Sequence, residues 1–163
     1  SARLDYPSGL LLGQSVRRNR MSAIDRFTGD YAFLSNFSKH AVQYAGMWYP
    51  TAEHAYQAAK TLDPAERVAV RRKATPGAAK RFGRTVTMRP GWEAMKERVM
   101  EEILFDKFTC FPDLRAALLS TAPRELIEGN DWGDREWGKV DGVGKNKLGQ
   151  CLMRVRDRLG ENK

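Results

Sequence analysis

The chain has 163 residues, of which 42% are hydrophobic, and its 28 lysines and arginines against 20 aspartates and glutamates leave a net charge of +8. That length suits one domain that buries about two thirds of its unfolded surface without staples, and the positive balance favours phosphorylated small molecules or nucleic acid as partners, although a basic surface also serves solubility alone. No apolar run approaches the roughly 18 residues that span a bilayer, and two cysteines (Cys110, Cys151) and two histidines (His40, His54) at unpaired spacings make neither a disulfide framework nor a zinc set, so a cytoplasmic protein without metal or cofactor is expected.

Residues 1–22 show no periodicity, and Leu10, Leu11 and Leu12 are followed, not preceded, by Arg17, Arg18 and Arg20. They do not read as a signal peptide and are assigned to a flexible extension or leader. From Ile24 to Tyr49 the chain is aromatic, with Phe27, Tyr31, Phe33, Leu34 and Phe37 ahead of a hairpin predicted for Val42–Tyr44 and Met47–Tyr49 around Ala45-Gly46.

Pro50-Thr51 then signals a helix from Ala52, because proline is tolerated at such an edge and a threonine hydroxyl accepts an orphan amide. At 3.6 residues per turn Glu53, Tyr56, Gln57 and Lys60 share one face, while most of the remaining positions are alanine. Such a helix packs closely and presents a carboxylate, a phenol, an amide and an amine at one spot. Two readings of Glu53 stand at this point. It is a capping acid held ionised by the helix end, or a site carboxylate whose pKa burial pushes the other way.

Asp63-Pro64 and Thr75-Pro76 repeat the cap-then-proline signal for helices over Ala65–Lys73 and on to Phe82, with Gly83 as the expected stop. Pro90 opens the longest periodic segment, whose stripe of Trp92, Met95, Val99, Met100, Ile103, Leu104 and Phe108 predicts the centre of the core. After the break at Phe111-Pro112-Asp113 come a short helix over Leu114–Leu119 and an extended turn or strand at Glu125–Glu128. Gly129–Lys147 holds five glycines with Asp131, Trp132, Asp134, Trp137, Asp141 and Asn146, the composition of a functional loop on a rigid scaffold. Leu148, Leu152, Val155 and Leu159 define a final amphipathic helix. The sum is a mostly α-helical α+β single domain over residues 23–163 with a small N-terminal hairpin. P-loop, G-x-G-x-x-G and H-E-x-x-H patterns are absent, which removes NTPase, dehydrogenase and zinc-protease readings.

Several blocks in order resemble the YbiA-like or NADAR family. They are F-L-S-N-F at Phe33–Phe37, Y-P-T-A-E-H-A-Y-Q-A-A-K at Tyr49–Lys60, A-K-R-F-G-R at Ala79–Arg84, L-I-E at Leu126–Glu128, D-R-E-W-G at Asp134–Gly138, and G-K-N-K-L-G-Q-C-L-M-R-V-R from Gly144. The resemblance covers residues 25–159 and implies an N-glycosidase that cuts a ribose C1–N bond. Its implied substrates are ribosylated aminopyrimidine phosphates of riboflavin synthesis or ADP-ribose attached to guanine in nucleic acid. Cleaving such a bond builds positive charge at C1, which a carboxylate stabilises or attacks. Glu53 and Asp134 are the two candidates, with Asp131 a rival to Asp134, and Asp134 also reads as an ordinary turn residue. Lys60, and second to it Lys80, is a candidate imine-forming amine if its pKa is lowered, and otherwise a phosphate partner or a solvated helix end; for Lys80, beside Arg81 and Arg84, a phosphate or diphosphate ligand is the preferred reading. Phe33, Phe37, Trp92 and Trp137 with Gly138 are expected around a flat ligand, Trp92 being equally suited to the core, and Asn36, Gln57 and Asn146 offer amides to ribose hydroxyls. The commoner family loop often carries a proline where this chain has Gly129-Asn130-Asp131-Trp132-Gly133, so the resemblance does not extend to leaving-group specificity; Trp132 falls in no matching block and is unassigned. A noncatalytic ADP-ribose or nucleotide-binding module, and a nucleic-acid binder driven by charge alone, are the competing classes.

Overall fold

In the computed structural model, residues 23–161 are described; the sequence reading of residues 1–22 lies outside them. The 3-10 turn Gly29–Leu34 leads into β1 (Val42–Tyr44) and β2 (Met47–Tyr49), then α1 (Ala52–Ala59), α2 (Pro64–Arg71), α3 (Pro76–Gly83), α4 (Trp92–Cys110), α5 (Pro112–Ser120) and α6 (Lys147–Glu161). The hairpin is antiparallel, pairing Val42 with Tyr49, Gln43 with Trp48 and Tyr44 with Met47. It closes through Ala45 and Gly46, both at positive φ as the tightest hairpin turns require.

The caps fall where the sequence places them. Thr51 Oγ1 accepts the His54 amide, Asp63 accepts from Ala65 and Thr75 from Ala78, and Pro64 and Pro76 occupy first helical positions where no amide is needed. His54 extends the first cap into a tertiary tie: its Nε2 lies 2.9 Å from the Lys73 carbonyl and its Nδ1 2.7 Å from Thr51 Oγ1. Since a carbonyl only accepts, Nε2 carries a proton, and the ring joins the start of α1 to the end of α2.

All eight residues of α1 are buried, between α2, α3, α4 and the hairpin. Its alanines allow that enclosure, and Gly83 extends it. Gly83 is the last residue of α3 in a right-handed helix end, not a left-handed stop, and a Cβ there would overlap the Gln57 carboxamide of α1. The glycine serves close helix approach.

Helix α4 is the hub, packed on α1, α5, α6 and β1. It starts at Trp92 because Gly91 sits at φ +74, a conformation that suits glycine. Its buried face holds Trp92, Val99, Met100, Ile103, Leu104 and Phe108 as expected, but also Lys96 and Lys107, which a hydrophobic stripe does not announce. Glu125–Glu128 is an extended turn tied to the N-terminal segment, with Ile24 donating to the Glu125 carbonyl and Ile127 to that of Ile24. Among the described residues no helix is long and apolar enough to cross a membrane.

Candidate active site

A cavity of about 710 Å3 opens beside α1, floored by Glu53, Tyr56 and Gln57 and walled by Trp92 and Met100 of α4, the Ser35–Phe37 turn, Glu128 and the Asp134–Trp137 segment. The helical spacing thus delivers the four-residue face to one place, since Lys60 lines the cavity too. Tyr56 centres an aromatic wall, its ring centroid 5.4 Å from that of Trp92 and 5.3 Å from that of Trp137, edge-on to the latter. Trp92 serves core and cavity at once.

The Glu53 carboxyl is buried and takes a 2.7 Å hydrogen bond from Gln57 Nε2. Its amide bonds the Asn36 carbonyl, which fixes α1 to the Ser35–Phe37 turn. Burial drives its pKa up, opposed by the Gln57 hydrogen bond and then by the charges of Lys80 and Lys60. The helix end does not outweigh that loss of water. Burial likewise lowers the Lys60 amine, against the pull of Glu53.

The carboxyl that sequence reasoning missed is Glu128. It lines the same cavity, burial and then the Asp134 charge push its pKa from 4.5 to about 7, and its Oε2 is buried with no hydrogen-bond partner among the described residues. The L-I-E block carried it, yet without periodicity in an extended turn nothing local marked it as inward-facing. Asn36 Oδ1 and Gln57 Oε1 are buried and unpartnered in the same way, so three acceptors without protein donors belong to side chains lining one cavity. Buried acceptors call for donors, and ribose hydroxyls are suitable ones.

Asp134 lines the cavity while its Oδ1 accepts from the amides of Glu136 and Trp137, so the turn role and the site position coexist. Asp131 is outside the lining, exposed and paired with Arg26 at 3.1 Å through both carboxylate oxygens. Glu136 lines the cavity but is committed to Lys96 at 2.6 Å and Lys147 at 3.0 Å, which hold its pKa down. Phe37, Lys80 and Trp132 line it as well; Phe33, Arg84, Gly138 and Asn146 do not. Phe33 packs edge-on against Phe108, and Arg84 caps α3 at the surface. Gly138 gives passage to the Glu128 carbonyl, which a Cβ would overlap. Asn146 spends its amide on backbone, donating to the Leu126 carbonyl and accepting from the Glu128 amide, both at 2.9 Å. Asn146 and Gly138 pack against the turn that carries Glu128. Among the described residues no group of three or more His, Cys, Asp or Glu could hold a metal ion.

Residues 25–160 match the NADAR domain family. The chain is 41% identical over 140 residues to the N-glycosidase YbiA of Escherichia coli K12, covering 82% of this chain and 85% of that protein. It is 36% identical to an N-glycosidase of Nostoc punctiforme, over 79% of this chain and 86% of the other, and 35% identical to a riboflavin biosynthesis protein of Vibrio vulnificus, over 82% of this chain and 37% of the other. The NMR structure of E. coli YbiA superposes with a TM-score of 0.75 at 37% sequence identity, covering 88% of this chain and 92% of the other. These relatives place the protein among enzymes of the N-glycosidase class, with the α+β single-domain fold that the sequence predicts. By a match that runs nearly the length of the domain, and by a fold shared with a relative of the same name, the chain belongs to the NADAR domain family.

Proposed function

We propose that the cavity hydrolyses the C1–N bond of a phosphorylated N-riboside in the cytoplasm, with a ribosylated aminopyrimidine phosphate as the preferred substrate. The observation that carries this is two carboxyls, the buried Glu53 and the half-buried Glu128, in one cavity with unequal surroundings. Glu53 is assigned the negative charge that faces the ribosyl cation, because Gln57 donates to it and Lys80 and Lys60 oppose the rise that burial imposes on its pKa. Glu128 has no donor on Oε2 and keeps its proton up to about pH 7, so it serves as the acid. As C1–N breaks, the electron pair stays on nitrogen, which takes the Glu128 proton; water adds at C1 and gives its proton to Asp134. Asn36 and Gln57 bind ribose hydroxyls and Lys80 a phosphate. Riboflavin biosynthesis in a relative's name supports the aminopyrimidine leaving group.

ADP-ribose on guanine in nucleic acid is the second reading, favoured by the net charge of +8. Incubating the protein with each substrate and weighing the released base and sugar by mass spectrometry separates the two. In either case Glu53→Gln keeps the shape and removes the charge, and turnover is expected to fall on the order of 100-fold with ligand affinity retained. Unchanged turnover removes Glu53 from the mechanism, and absence of turnover in the parent protein with ligand still bound supports a binding module. Burial of the Lys60 amine also supports an imine route through the open sugar. Borohydride during turnover would then leave a sugar-sized mass on Lys60, and its absence leaves the carboxylates to act alone.

A further inference from the structure

Six large hydrophobic side chains are exposed among the described residues, and three of them, Phe37, Met88 and Trp132, line the same cavity from three separate segments. Exposed apolar groups gathered at one opening mark a binding surface more than scattered ones do. Trp132 is the largest and the most exposed, at 64%. Lys80 Nζ stands 5.9 Å from its ring centroid, so the ammonium covers one face and an indole this exposed turns much of its surface to solvent.

Its mounting is ordered. Asn130 Nδ2 donates to the Asp134 carbonyl at 2.8 Å and its Oδ1 accepts from the Asp134 amide at 3.1 Å, closing Asn130–Asp134 into a small ring with Trp132 at the middle. Gly133 turns the chain there at φ +86, and the neighbouring Asp131 is gripped by Arg26. A tryptophan on a braced loop has little backbone freedom to lose when a ligand arrives, which suits a flat partner.

We propose that Trp132 is a specificity-determining residue on which a planar nitrogen heterocycle of the ligand stacks at the cavity mouth, with Phe37 and Met88 completing the apolar rim. The assignment rests on the N-riboside reading for the sugar, and adds that the ring, not the sugar phosphate, is selected here. Stacking is tolerant of ring identity because every base has a π-face. The ligand class is therefore a riboside or ribotide bearing an aromatic heterocycle, and sugar phosphates without one bind less well.

Equilibrium binding of guanosine 5′-monophosphate and of ribose 5-phosphate to the parent protein, Trp132→Ala and Trp132→Phe tests this without requiring turnover. The alanine variant is expected to lose affinity for the nucleotide on the order of tenfold or more, to bind ribose 5-phosphate as the parent does, and to unfold at an unchanged temperature. The phenylalanine variant is expected to regain most of the loss. Unchanged nucleotide affinity in the alanine variant, or equal loss for both ligands, overturns the assignment. A selective loss in a protein that cleaves no N-riboside would sustain the stacking surface and sink the hydrolase reading, so the two fail separately.

Discussion

The two site glutamates differ by what surrounds their oxygens, and that difference is measurable. Glu128 is raised from 4.5 to about 7 by burial and by Asp134. The folded protein therefore binds a proton that the unfolded chain releases between those values. The resulting stability is complete below about pH 4.5 and is lost as pH rises through about 7, on the order of 3 kcal/mol in total. Glu128→Gln lacks this dependence, so its unfolding free energy should gain on the parent's between pH 4.5 and 7 in parallel denaturant titrations. The same change removes the proposed acid. It should lower kcat on the order of 100-fold or more and abolish the alkaline limb that the parent's kcat/KM shows above about pH 7. A parent rate that does not fall above neutrality would assign the proton to another group. Gly83 illustrates a different residue-scale constraint. In Gly83→Ala the new methyl meets the Gln57 carboxamide. The hydrogen bond to Glu53 must give, and turnover should drop beyond what the lowered thermal midpoint explains.

At the scale of elements, the Phe33–Ser38 turn reaches the cavity because α4 holds it from below. Lys107 is fully buried and its ammonium donates to the Phe33 carbonyl at 2.7 Å, the Ser35 carbonyl at 3.0 Å and Ser38 Oγ at 2.7 Å. Three donors meet three acceptors, against a burial that pulls the amine's pKa down to about 7. Asn36 and Phe37 ride on that turn. Lys107→Met fills the volume and leaves two buried carbonyls without their donor, at a cost of roughly 2–4 kcal/mol. Hydrogen exchange of the Ser35–Ser38 amides should accelerate more than that of α6, and affinity for ribose 5-phosphate should weaken. Equal acceleration everywhere would reduce the lysine to a global stabiliser. The Gly129–Asn146 loop is held by comparable means, with side-chain amides of Asn130 and Asn146 added to the backbone bridges Gly129–Lys139 and Val140–Val143.

Over the whole molecule, what acts within a few residues was legible in the sequence, and what depends on neighbours was legible only in part. Helix starts at Thr51, Asp63 and Thr75, the hairpin at Ala45-Gly46 and the long core helix followed from the sequence by itself, because capping, proline placement and 3.6-residue periodicity act within a few residues. So did the shared face of Glu53, Tyr56, Gln57 and Lys60, and the family. The tertiary structure alone decided that Glu128 faces the cavity and that the Asn146 amide bonds the backbone on either side of it. It also decided that Lys107 lies in the core and that Gly83 is a contact and not a stop. The physical reason is one of range. Desolvation, unpaired acceptors and close approach are set by whatever packs around a group from distant parts of the chain, and no spacing along the sequence encodes them.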